Sequence, residues 1–218
     1  MNRIGVFARR PVAGQVKTRL SPALPAAMAA RLYEAVLADT LDAVRSAAAG
    51  ERLIAWADAE PALPAAAGFR ARAQAQGDLG ARLRDAFAAL LPGPGDRAVI
   101  VGSDCPALTA ELLERAFAVL AQHRIVLGPA LDGGYWLLGL AEPAPELFND
   151  IAWSTPHVLA QTQERAAALG LDIEWLPALA DLDTPADVAH LVAMRASGAA
   201  DACGPHCAGA LREFGLLP

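Results

Sequence analysis

The stretch that decides the fold is AVIVGSDCPALTAELLERAFAVLAQHRIVL, residues 98–127. It opens on Ala98–Gly102, an unbroken apolar run of strand length, the pattern of a strand covered on both faces. The run stops at Ser103-Asp104-Cys105-Pro106. Thr109 then stands where a helix cap belongs, with Glu111 and Leu112 in the first turn, and helical spacing runs to about Gln122. Ile125–Leu127 begins a further apolar run. A strand, a helix and a strand in direct succession predict a parallel sheet with helices packed on it.

The same alternation extends in both directions. Upstream lie the apolar strand Ile4–Ala8 and a long helix over Pro25–Ala49, with Leu32, Val36, Leu37, Leu41 and Val44 at helical spacing. A strand over Arg52–Ala57 and a weaker, alternating one over Phe69–Gln74 come next. The helix Leu79–Leu91 is closed by Pro92-Gly93-Pro94-Gly95. Downstream, Tyr135–Leu140 and Asp172–Leu176 read as strands. Ser154-Thr155-Pro156 reads as the cap and first turn of a helix to about Ala168, and Thr184-Pro185-Ala186-Asp187 as the opening of a last long helix. The expectation is an α/β fold, one domain over residues 1–198, with 199–218 as an irregular appendix ending in a short helix.

Composition narrows the function. The 218 residues carry a formal charge of −6, which argues against a nucleic-acid binder with its basic face. The 55% hydrophobic content reflects 52 alanines more than an excess of large apolar residues. No apolar run reaches the ~18 residues of a membrane span, and the N-terminus has no signal-peptide core. Three cysteines make no disulfide framework in a domain this large, so a cytoplasmic setting is expected. Cys203-Gly204-Pro205-His206-Cys207 offers too few ligands for structural zinc and reads as a surface tail.

One count stands out. The 18 basic residues are 17 arginines and a single lysine, Lys17. Lys17 lies in the loop after the first strand, Arg9 to Leu20, beside Gly14, Thr18 and Arg19. In open α/β sheets ligands bind beyond the carboxyl ends of strands, and such a loop suits phosphate through backbone N–H groups and cationic heads. It is neither a Walker A loop nor a dinucleotide fingerprint. Asp104 follows another apolar strand, and Asp181-Leu182-Asp183 places two carboxylates on one side of an extended segment. Oxygen ligands of this kind suit Mg2+. Asp132-Gly133-Gly134 allows close approach of backbone to a ligand. Each element also has a plain alternative: a solvated loop, a turn or cap at the aspartates, a hairpin at Asp132-Gly133.

Taken together, the segments Pro11-x-x-Gly14-x-x-Lys17-Thr18-Arg19-Leu20, Gln76-Gly77-Asp78-Leu79-Gly80 with Arg82-Leu83, Gly102-Ser103-Asp104-Cys105-Pro106, Gly128-Pro129-Ala130-x-Asp132-Gly133-Gly134-Tyr135 and Asp181-Leu182-Asp183-Thr184-Pro185 resemble the bacterial DUF2064 family. Its members are labelled GT-A-type glycosyltransferases or radical-SAM/selenodomain-associated transferases. The family is similar to the 2-phospholactate and molybdenum-cofactor guanylyltransferases. The match runs from residue 4 to about 195. It implies a Rossmann-like nucleotide-diphospho-sugar transferase fold whose mainly parallel sheet carries one antiparallel strand.

The resemblance further implies a transferase that takes a nucleotide or nucleotide-sugar and a small-molecule acceptor, with Mg2+ or Mn2+ as cofactor. Gly14, Lys17, Thr18, Arg19, Gln76 and Gly77 would bind the nucleotide. Asp104, Asp181 and Asp183 would hold the metal. Asp132, Gly133, Gly134 and Ser154 are candidates for the acceptor, and Lys17, Arg19 and Asp104 for catalysis. The G-x-G start of sugar-nucleotide pyrophosphorylases is replaced by Ala8-Arg9-Arg10. Nucleotidyl and glycosyl transfer both fit this pattern, and a binding module that has lost catalysis is the alternative from another class. The acceptor, the nucleobase and the oligomeric state leave no mark in the sequence.

Overall fold

The computed structural model describes residues 1–21, 23–58 and 62–218. Seven strands form one sheet: β1 (Asn2–Ala8), β2 (Glu51–Trp56), β3 (Arg70–Ala73), β4 (Arg97–Val101), β5 (Ile125–Pro129), β6 (Tyr135–Leu140) and β7 (Ile173–Trp175). Their order is β3-β2-β1-β4-β6-β5-β7. The pairs β1–β2, β1–β4, β2–β3 and β5–β7 are parallel. β6 runs antiparallel to both β4 and β5, so the expected single reversed strand is present.

Side-chain alternation along the strands separates the two faces. Val99 and Val101 of β4 join one core cluster, and Ala98 and Ile100 join another. The first cluster is covered by α1 (Ala26–Ser46) and α3 (Ala110–Leu120), through Tyr33, Leu37, Val44, Leu113, Phe117 and Leu120. The second is covered by α2 (Leu79–Leu90), through Leu83, Phe87 and Leu90, and by α4 (Val158–Ala168), through Ala166. Helices on both faces with sheet between are the three-layer arrangement that the alternating pattern predicts.

A third cluster lies on the far side of α1. There Leu32 and Val36 meet Val188 and Leu191 of α5 (Pro185–Ala196) and Cys207 and Leu211 of α6 (Pro205–Glu213). The last residues are therefore packed into the body of the protein. This corrects the reading of Cys203 and Cys207 as surface residues, since both are buried and free. Asp39 of α1 explains the docking: its carboxylate accepts from the backbone N–H of His206 at 2.9 Å and of Cys207 at 2.8 Å. It thereby caps a helix whose own N-cap, Gly204, has no side chain.

Two helix starts test the capping expectations. Thr184 forms a full capping box with Asp187 at the head of α5, as its sequence predicts. Ser154-Thr155-Pro156, by contrast, does not open α4, which begins at Val158. Ser154 has φ of +63°. The Thr155 hydroxyl donates to the Ala152 carbonyl at 2.7 Å and accepts from the His157 N–H at 3.3 Å, so it closes the preceding turn and ties it to the residue that leads into α4.

Candidate active site

The chain leaves β1 and β4, neighbours in the sheet, in opposite directions, which opens a crevice at their carboxyl ends. A cleft of about 1020 Å³ occupies this place. Its wall includes Lys17, Thr18 and Arg19 after β1, Asp104 after β4, Gly77 before α2, and Asp132, Gly134, Ser154, Asp181 and Asp183. The structure thus gathers residues more than 160 positions apart: the Lys17 ammonium donates to Asp183 Oδ1 at 2.6 Å across a separation of 166 residues. The same ammonium is paired with Asp104.

Lys17 is buried, its side chain only 7% exposed, whereas Asp104 is 47% and Asp183 37% exposed. Burial by itself would lower the lysine pKa. The charges of Asp104 and Asp183 outweigh it and hold Lys17 above its ordinary value. Its ammonium lies 5.8 Å from the centroid of the Tyr33 ring. The Lys17 backbone has φ of +49°, in the left-handed region that side chains seldom enter. Arg19 approaches Asp183 Oδ2 at 3.7 Å and is otherwise exposed.

Asp181 faces the same cleft with a different partner. The Cys105 thiol donates to its Oδ1 at 2.7 Å. Burial first, then the nearby charges of Asp132, Asp104 and Asp183, push Asp181 up to about 6, against the opposing hydrogen bond from Cys105. Asp181 and Asp183 therefore share a face but not a cation; the pair that shares one is Asp104 and Asp183, through Lys17. All the donors are carboxylate oxygens, the chemistry that Mg2+ and Mn2+ prefer, and Lys17 demonstrates that two of them already hold a cation. Among the described residues no group of three or more His, Cys, Asp or Glu is drawn together as a finished metal cage. The donor set fits a hard divalent cation in kind.

Several expected contacts differ. Gly14 and Gln76 do not line the cleft; Gln74, Asp78 and Arg82 do. The Arg82 guanidinium donates to the Gly77 carbonyl at 3.1 Å and to Gln74 Oε1 at 3.3 Å, which orders the segment between β3 and α2. Gly133 also stays out of the wall. It packs with φ of +92° against Pro156, whose Cα a Cβ there would approach to 2.9 Å. Trp153 joins the wall and lies so close to Gly80 that a Cβ at that position would stand 2.7 Å from its Cε2.

Tyr33 is the residue that sequence reasoning missed most clearly. From α1 its hydroxyl accepts from the Arg9 N–H at 2.8 Å and shares a 2.8 Å hydrogen bond with Ser103 Oγ. It ties the loop after β1 to the loop after β4. Its place in the helical stripe Leu32, Tyr33, Val36, Leu37 reads as core, and nothing in that pattern distinguishes a hydroxyl at the edge of a site.

A mainly parallel sheet with one reversed strand and a polar cleft at the β1/β4 crevice defines a transferase fold of the nucleotide-diphospho-sugar type. The comparisons agree, and the chain is an enzyme of the transferase class. A crystal structure of a protein from Desulfovibrio desulfuricans G20, provisionally described as a nucleotide-diphospho-sugar transferase, is 29% identical with a TM-score of 0.84, over 99% of this chain and 96% of that one. The chain belongs to the DUF2064 family, described as an uncharacterized protein conserved in bacteria, whose pattern matches residues 40–155.

Among characterised relatives, a 3-phospho-D-glycerate guanylyltransferase from Phenylobacterium zucineum is 33% identical over 189 residues, covering 80% of this chain and 83% of the relative. A 2-phospho-L-lactate guanylyltransferase from Haloarcula marismortui is 28% identical over 88% of this chain and 87% of the relative. A manganese complex of a Mycobacterium tuberculosis protein shares the fold at 20% identity and a TM-score of 0.54, over 87% of this chain and 96% of that one. No helix among the described residues is long and apolar enough to cross a membrane.

Proposed function

We propose that this protein is a nucleotidyltransferase that joins the nucleoside monophosphate of a triphosphate, by analogy GTP, to the phosphate of a small phosphorylated carboxylic acid. The observation that carries the reading is the cleft at the β1/β4 crevice, where Lys17 and Arg19 face Asp104, Asp181 and Asp183. Guanylyltransferases that match four-fifths or more of the chain support it.

In the reaction an acceptor phosphate oxygen attacks the α-phosphorus of the triphosphate. A new phosphorus–oxygen bond forms, the bond from the α-phosphorus to its bridging oxygen breaks, and pyrophosphate leaves with the electron pair. Such transfers depend on positioning and charge stabilisation more than on covalent help from the protein. Lys17 and Arg19 neutralise charge that builds on the departing pyrophosphate. Asp104, Asp181 and Asp183 are the residues that would hold Mg2+ or Mn2+. When bound, that ion would neutralise phosphate oxygens and orient them for displacement. The wall formed by Asp132, Gly134, Ser154 and Trp153 is assigned to the acceptor, and the Gly77–Arg82 segment to the nucleotide.

The test is pyrophosphate release from each of the four ribonucleoside triphosphates with Mg2+ and a panel of phosphorylated hydroxy and keto acids. Mass spectrometry then identifies the product. Pyrophosphate with a nucleoside-diphosphate-linked acid supports the reading. Nucleoside diphosphate released from a nucleotide-sugar, with no pyrophosphate from any triphosphate, replaces it with glycosyl transfer, the reading favoured by the description of the Desulfovibrio protein.

A further inference from the structure

The Lys17 ammonium bridges two of the three carboxylates assigned to the metal. It is paired with both Asp104 and Asp183, it is buried, and it rests over the Tyr33 ring. A lysine reserved for phosphate would present its head to the open cleft, as the exposed Arg19 does. Lys17 instead spends its charge on the carboxylates assigned to the metal.

We propose that Lys17 is a resident counter-cation that competes with the divalent metal for Asp104 and Asp183, so that metal and triphosphate bind as one cooperative event. The inference rests on the nucleotidyl reading of the cleft. A free divalent ion that enters this pair must displace the ammonium from both carboxylates and so break two ion pairs, which is costly unless another anion takes their place. A triphosphate supplies that anion. Its oxygens accept the ammonium as Lys17 turns away from Asp104 and Asp183, and the freed carboxylates accept the metal that travels with the triphosphate. Lys17 keeps its proton throughout, and no covalent bond changes. The four-carbon stem of lysine permits such a swing. The left-handed backbone at Lys17 already stands at the edge of the Thr18–Leu20 turn.

The test measures Mn2+ binding to the full chain by paramagnetic resonance, with and without inorganic tripolyphosphate. In the wild type, free Mn2+ binds weakly and tripolyphosphate tightens it by about tenfold or more, the size of an ordinary coupling between sites. Lys17→Met binds free Mn2+ about tenfold tighter than wild type, and tripolyphosphate then adds little. Arg19→Met, which removes a cation that does not touch Asp104, gains much less.

Equal gains in the two variants, or no gain in Lys17→Met, overturn the inference, as does tight wild-type binding of free Mn2+ without effect of tripolyphosphate. Lys17→Gly, suited to the backbone at φ of +49°, replaces the methionine variant if that one fails to fold, and the wild-type arm needs no variant. Pyrophosphate release without the gain sinks this inference and leaves the proposed reaction standing. The gain without pyrophosphate release from any triphosphate does the reverse.

Discussion

Removing the Tyr33 hydroxyl tests whether the two loops of the site are held by a single buried group. Tyr33 and Ser103 are each 3% exposed. The hydroxyl accepts from Arg9 N–H at 2.8 Å, meets the Arg9 carbonyl at 3.2 Å and shares 2.8 Å with Ser103 Oγ. Tyr33→Phe keeps the ring beneath Lys17 and deletes these bonds. It leaves the Arg9 N–H and the Ser103 hydroxyl short of a partner, and each unsatisfied group costs about 1–3 kcal/mol. Because Ser103 can rotate toward other acceptors, the net expectation is a loss of about 2 kcal/mol. At roughly 2–4 °C per kcal/mol for a chain of this length, Tm falls by about 4–8 °C.

The assay is thermal unfolding of Tyr33→Phe, Ser103→Ala and the double variant. The two single losses should exceed the double by a coupling of about 1 kcal/mol, since they remove one shared bond. The pyrophosphate assay on the same proteins should show kcat reduced, because the loops that carry Lys17 and Asp104 are no longer tied. A Tm within about 1 °C of the parent, or strict additivity of the two changes, refutes the idea that this hydroxyl links the loops.

Other outcomes follow from single contacts. Gly133→Ala should lose about 2 kcal/mol or more by thermal melting and weaken acceptor binding in KM, because its φ of +92° and the nearby Pro156 backbone leave a Cβ no room. Gly134→Ala, whose Cβ would meet only the Asp132 carboxylate at 3.2 Å, should be close to parental in thermal stability. Asp39→Ala should cost about 1–2 kcal/mol and speed amide exchange in α6, since the carboxylate caps that helix from α1; unchanged exchange there would contradict the docking role.

Asp96 predicts a pH effect. Hydrogen bonds from Arg3 and from the N-terminal ammonium hold its carboxyl below the ordinary aspartate value. A depressed folded-state pKa gives stability that is present above about pH 4 and lost as pH falls through the folded value. Asp96→Asn should therefore flatten the fall of Tm below pH 4, and a slope equal to that of the parent would show that the contact does not contribute.

What was legible from residue order followed local physics. The apolar runs Ile4–Ala8 and Ala98–Gly102 stated buried strands because no exposed strand tolerates two apolar faces. The Thr184-Pro185-Ala186-Asp187 box stated a helix start because its hydrogen bonds span only three residues. The single lysine drew notice by composition, and its position after a strand end tied it to a site. Asp104, Asp181 and Asp183 could be assembled as candidates because strand ends in such sheets converge.

The tertiary structure decided what each of those residues touches. Lys17 meets carboxylates 87 and 166 positions away, and no spacing rule reaches so far. Tyr33 belongs to a core stripe by periodicity and becomes a loop tie only when β1 and β4 lie side by side. The cysteines of the last segment read as exposed until Asp39, on the opposite helix, caps α6 and draws them into the interior. Local propensity chose the elements, which are short-range hydrogen-bond and burial patterns. The chemistry depends on charge pairs and buried polar bonds between those elements, whose energies exist only after the sheet order brings the partners within a few ångströms.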